Sequence, residues 1–166
     1  MKKTILALVF AGAAISSLVF FPDAERNLHV ETKINSPPEK IWQVLMDFER
    51  YPEWNPFIKS ISGKQAVGEQ LHVTVQSPGN SPATFEPVIS VLSQNQKLKW
   101  KDKLLFKGLF DGEHYFILEK NDDGSTTFIH GENFSGFLVR FFGGRLDRTE
   151  EGFELMNKAL KAKCEK

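Results

Sequence analysis

From Ile58 to Phe134, and earlier from Leu28 to Ile34, the signals of this chain are mostly strand-like, with apolar residues recurring at every second position, whereas helical spacing is confined to one stretch between these regions and one near the C-terminus. Strict alternation marks a half-buried strand, because successive side chains of an extended backbone point to opposite faces. Leu28, Val30, Thr32 and Ile34 share one face of the first such segment. Leu71, Val73 and Val75 alternate with His72, Thr74 and Gln76. Further strands are expected over Phe85–Leu92 and Leu98–Lys101. Glu113–Glu119 and Thr126–Phe134 are expected to form a hairpin around the turn sequence Asn121-Asp122-Asp123-Gly124. Ser77 to Pro82 is a loop by its turn residues. The stretch from Lys103 to Gly112 has two glycines within an apolar run and fits neither period.

Two helices interrupt and close this pattern. Ser36-Pro37-Pro38-Glu39 predicts a helix from Pro37 to Phe48, with Ser36 as its cap, Pro37 at its first position and Glu39 completing a capping box. Ile41, Val44, Leu45 and Phe48 give that helix its apolar face. Tyr51 to Pro56, with two prolines, is a turn or short helix. Leu146, Thr149, Phe153, Met156 and Leu160 recur at helical spacing and predict a last helix over about Arg145–Lys163. Its acids (Asp147, Glu150, Glu151) come early and its lysines late, as the helix dipole favours. Strands segregated from helices indicate an α+β domain with an antiparallel sheet, one face of which covers the last helix.

The first residues follow different rules. Lys2 and Lys3 precede an apolar or small-residue run from Ile5 to Phe21, and Thr4 to Phe21 is long enough to span hydrocarbon as a helix. Two readings stand. One is an uncleaved membrane anchor through residues 4–21, and the other is a signal peptide cut near Ala11-Gly12-Ala13. Both keep Lys2 and Lys3 in the cytoplasm, so the domain is expected on the extracytoplasmic side, membrane-anchored or secreted into the periplasm. The chain thus divides into a segment 1–26 and one domain 27–166. The zero formal charge and the lack of a basic run give no sign of a nucleic-acid partner. Cys164 is the one cysteine, so neither an internal disulfide nor a cysteine zinc cluster is available. Fifteen Phe and three Trp are enough to build a core or to line a cavity.

The sequence Ile34 to Trp42, followed by Asp47-Phe48-Glu49-Arg50-Tyr51-Pro52-Glu53-Trp54-Asn55-Pro56, resembles the opening of the START-like superfamily. Gly108 to His114, Glu132 to Gly136 and Met156 to Lys161 are similar to its bacterial polyketide cyclase/dehydrase-like branch. The resemblance covers about residues 28 to 163. It implies a helix-grip fold, a curved antiparallel sheet wrapped around the long C-terminal helix with a cavity between them. It also implies an apolar ligand such as a lipid, sterol, quinone or polyketide. No cofactor is implied.

Alternation supplies the candidate site. His114 shares its parity with Phe116 and Leu118, and His130 and Glu132 share theirs with Phe128 and Phe134. If the apolar members are buried, the polar ones turn inward with them. Trp100 and Phe153 join them as candidate ligand contacts. His114, His130 and Glu132 would suit acid–base chemistry or the orientation of a polar ligand head. The plainer reading is a hydrogen-bonded cluster that satisfies only itself. No histidine pair has helical ligand spacing, so no metal is expected. Trp42 and Trp54 are read as core. Phe137 to Phe142, before Gly143-Gly144, are read either as ordinary packing of a short helix over the pocket mouth or as a mobile gate or membrane-touching lip with the glycines as a hinge, and Leu104 to Phe110 as the other side of that mouth, with Phe106, Phe110, Phe137 and Phe141 as the gate. Three functions remain open: a hydrophobic-ligand carrier at the membrane, a cyclase/dehydratase using a His/Glu pair, and a protein-contact module.

Overall fold

The computed structural model describes residues 24–166. The expected anchor or signal segment therefore lies outside the described residues. Among the described residues no helix is long and apolar enough to cross a membrane.

Strand β1 (Ala24–Ile34) leads into α1 (Pro38–Met46), a 3-10 turn at Phe48–Arg50 and the short α2 (Tyr51–Trp54). Seven strands follow: β2 (Ile58–Gly63), β3 (Leu71–Val75), β4 (Ala83–Phe85), β5 (Val88–Ser93), β6 (Lys97–Lys103), β7 (Asp111–Lys120) and β8 (Thr126–Gly136). A 3-10 helix over Phe137–Phe141 then precedes α3 (Gly143–Cys164). The strands pair antiparallel in the orders β1-β8-β7-β6-β5 and β2-β3-β4. The two sheets meet where Leu71 N–H donates to the Pro87 carbonyl and Ile89 N–H to that of Glu69. This is the expected α+β helix grip, a curved antiparallel sheet with the C-terminal helix lying across it.

Several local expectations are corrected. Residue 37 precedes a proline, which pushes it out of the helical region. Pro37 accordingly sits at φ −69°, ψ 153°, and α1 begins at Pro38 instead. Ser36 is left one residue too early to cap, so no capping box forms, and its carbonyl instead accepts from the Thr126 hydroxyl at 2.8 Å. The single strand expected over Phe85–Leu92 is two strands in different sheets, divided at Glu86-Pro87, because proline cannot donate to a ladder. The glycines expected as a hinge form the first turn of α3.

The α3 stripe packs as its spacing requires. Leu146, Phe153, Met156 and Leu160 are buried against the sheet and α1, and Trp42 is buried too, while Trp54 packs at the edge of the core. Gly152 lies on the same stripe because the Phe57 ring crosses there, leaving no space for a Cβ. Phe57 is held in place by Asn55, whose Oδ1 accepts from the backbone N–H of Phe57 and Ile58.

Candidate functional site

Strand register assembles the site. Leu28, Glu132, His114, Trp100 and Ile89 lie side by side across β1, β8, β7, β6 and β5. The next row carries Val30, His130, Phe116 and Leu98. Alternation therefore turns all three polar candidates to the helix side, as expected. Tyr115 points to the other face and is also buried there, over the backbone of Gly131.

The polar groups form one chain. His114 Nε2 lies 3.2 Å from His130 Nε2, His130 Nδ1 lies 2.9 Å from Asn157 Oδ1, and His114 Nδ1 lies 3.4 Å from Glu132 Oε2. Asn157 Nδ2 donates to the Val30 carbonyl and to Thr32 Oγ1. One assignment of protons satisfies all of these contacts. A carbonyl can only accept, so the Asn157 amide nitrogen faces Val30 and its oxygen faces His130. His130 must then donate from Nδ1. Burial, with His114 beside it, keeps His130 far below the ordinary histidine range, so its ring is neutral and its Nε2 accepts. His114 therefore donates from Nε2. Burial pushes His114 down to about 3, so its Nδ1 carries only a lone pair. Glu132 can meet that lone pair only with a carboxyl O–H. Burial, reinforced by nearby Asp102, raises Glu132 to about 8, which leaves it protonated at neutral pH. The His114–Glu132 contact is thus a long hydrogen bond between neutral groups rather than an ion pair.

Aromatic rings enclose this chain. Trp100 stacks on His114 at 4.5 Å and Phe153 stacks on His130 at 3.9 Å. Phe116 meets both imidazoles edge-on, and Phe128 packs beside Phe116 and His130. These rings pack against one another between helix and sheet, where the resemblance implied a cavity. The two best-formed concavities among the described residues are open surface grooves elsewhere. One is lined by Pro38, Gln94 to Lys97 and Leu118, the other by Asn80, Phe141, Phe142, Arg145 and Arg148.

Phe134 sits apart from the imidazoles, but a line of rings runs outward from it. Glu132 Oε1 and the Phe134 ring flank Gly112, where a Cβ would come within 2.8 Å of that oxygen. Phe134 packs on Phe110 at 5.3 Å, and Phe110 on Phe142 at 5.1 Å. Beyond them the expected gate divides. Phe106 and Phe141 are 61% and 67% exposed, whereas Phe110 and Phe137 are half-buried. The two sides of the mouth are joined, because Phe137 N–H donates to the Gly108 carbonyl and Leu138 N–H to that of Leu109.

Three participants escaped the sequence reading. Asn157 follows Met156 on the buried face of α3, and a lone amide at apolar helical spacing was a readable signal. Asp102 shares its strand face with Trp100, and Gly112 is paired across from it. Among the described residues no three His, Cys, Asp or Glu side chains converge as metal ligands.

Solved structures with this architecture define its class. The chain superimposes on the ZhuI aromatase/cyclase from Streptomyces sp. R1128 with TM-score 0.69 at 12% identity, covering 86% of this chain and 94% of that one. A START superfamily protein from Mycobacterium smegmatis gives 0.63 at 21% identity, covering 84% and 97%. Norcoclaurine synthase from Thalictrum flavum gives 0.64 at 13%, covering 85% and 94%. At these identities the likeness establishes a shared START-like fold. No curated protein matches the chain by sequence. The family model for polyketide cyclase/dehydrase and lipid transport matches residues 26–165, and the chain belongs to that family.

Proposed function

We propose that this domain binds a hydrophobic small molecule at a membrane, a lipid, quinone or polyketide-like compound, and transfers or sequesters it. One observation carries the reading: a Glu132–His114–His130–Asn157 chain whose imidazoles and amide are buried among aromatic rings while the carboxyl at its end stays partly accessible. A buried polar chain gives folding little that apolar side chains of the same shape would not. It does give an apolar ligand one neutral donor–acceptor contact. The line Phe134–Phe110–Phe142 leads from Glu132 to the surface, and a ligand reaches the carboxyl by displacing those rings. The family's description, which includes lipid transport, supports this reading.

The protonated state of Glu132 favours a second reading. A carboxylic acid kept neutral to about 8 and in contact with an imidazole is a general acid for dehydration or cyclisation. Two of the structural neighbours carry enzyme names, an aromatase/cyclase and a synthase.

Organic extraction of the full-length protein, purified from membranes, followed by mass spectrometry tests both. The expected result is one apolar compound in near-stoichiometric amount, lost in Glu132→Leu with the circular dichroism spectrum unchanged. Protein free of any such compound, or full retention in Glu132→Leu, would overturn the carrier reading. Conversion of the compound by wild type but not by Glu132→Gln, with binding kept, would move the assignment to the enzyme.

A further inference from the structure

One end of the molecule exposes apolar side chains that folding does not require. Leu105 is 80% exposed, and Phe106 and Phe141 stand out nearly as far. Leu105 also holds φ at +62°, a region that suits leucine poorly. Leu105 and Phe106 on the loop, and Phe141 on the 3-10 helix, leave most of their apolar surface in solvent. The loop is nevertheless built, since Asp111 accepts from Gly108 N–H and the loop bonds to the 137–141 helix.

Cations border the patch. Lys103 and Lys107 on the loop, and Arg145 and Arg148 on the first turns of α3, are all exposed. The nearby acids are largely engaged. Asp147 pairs with Arg26 at 2.8 Å, Asp111 holds Gly108, and Asp102 is half-buried. An apolar tip in a basic ring is complementary to an anionic bilayer surface.

The course of the chain gives an independent argument. Ala24 pairs with Gly136, which packs against the backbone of Gly108 and Leu109, so β1 begins at the foot of this patch. The apolar run that ends at Phe21 is three Cα steps away, at most about 11 Å. A membrane that took up that run would lie close to Ala24, at the foot of the patch. The opposite end of the sheet, where Asn35 N–H donates to Glu165, faces away.

We infer that Leu105, Phe106 and Phe141, ringed by Lys103, Lys107, Arg145 and Arg148, form a docking surface for an anionic lipid bilayer. This surface sets the mouth beside Phe110 against the membrane from which the ligand is taken. The inference rests on the proposed binding function for its purpose and on the surface itself for its geometry.

The test uses the full chain reconstituted into phosphatidylcholine vesicles, with and without phosphatidylglycerol, containing bromine-labelled acyl chains. Phe106→Trp and Phe141→Trp report from the patch, and Phe85→Trp, exposed on β4 of the other sheet, is the control. The wild-type signal from Trp42, Trp54 and Trp100 is subtracted. Bromine is expected to quench the added emission at positions 106 and 141 but not at 85, and more strongly with phosphatidylglycerol present. No added quenching at 106 and 141, or equal quenching at 85, would overturn the docking surface. Protein that carries an apolar compound yet shows no quenching would remove the surface and leave the binding function. Quenching in a protein that carries nothing would do the reverse.

Discussion

Replacing Glu132 by Gln preserves the shape of the site and a donor for His114 Nδ1, but abolishes a titration. In the folded protein this carboxyl is raised from 4.5 to about 8, with its side chain only 20% exposed. A raised acid contributes stability that is complete below the unfolded value near 4.5 and is lost as pH rises towards 8. The two histidines act in the opposite sense. Their folded values are depressed, so their contribution is complete above the unfolded value of 6.5 and is lost as pH falls through it. The histidine difference fades over the pH unit above that point, and of these three groups only the carboxyl then binds a proton differently in the two states. Wild type therefore loses about 1 kcal/mol per pH unit from this group between pH 6.5 and 8, and Glu132→Gln does not. Below pH 6 the variant loses stability more steeply than wild type, because no carboxyl offsets the histidines. Urea denaturation followed by circular dichroism across this range measures both slopes. Equal slopes for the two proteins above pH 6.5 would refute a protonated Glu132.

Asn157→Leu leaves the buried His130 Nδ1–H without its partner, and urea denaturation should show a loss of about 1–3 kcal/mol, the cost of one unsatisfied buried group. Gly152→Ala drives a methyl into the Phe57 ring, so an overpacking cost of about 1–3 kcal/mol outweighs the gain in helix propensity and Tm falls. Gly144→Ala, with nothing within 4 Å of the new Cβ, raises stability by about 0.5–1 kcal/mol in the same assay. Phe110→Ala removes the ring between Phe134 and Phe142, and stopped-flow exchange of a fluorescent fatty acid should quicken without loss of the folded spectrum.

The sheet and its inward face were legible because alternation is a local property. Leu28 to Ile34 and Phe128 to Phe134 carry their facing in their spacing, and His114, His130 and Glu132 came with it. The partner of those groups was not legible in the same way. Asn157 lies 27 positions from His130, and only the crossing of α3 over β8 brings them together. Proton placement also required three dimensions, since it starts from the Val30 carbonyl and ends at Glu132. The split of β4 from β5 was readable at Pro87, while the failure of the Ser36 cap follows from the second of two prolines. The mutual packing of the rings could not be read from a count of phenylalanines, because the same rings can line a space or pack on one another.

The most direct test of the site is the nitrogen-15 spectrum of the two histidine rings, recorded with the purified protein before and after bound organic compounds are stripped. A neutral Nδ1–H ring at His130 and a neutral Nε2–H ring at His114 are expected at pH 7, with the His114 Nδ1 resonance moving when the ligand leaves Glu132. A charged imidazole, the opposite tautomers, or a spectrum indifferent to stripping would contradict this expectation.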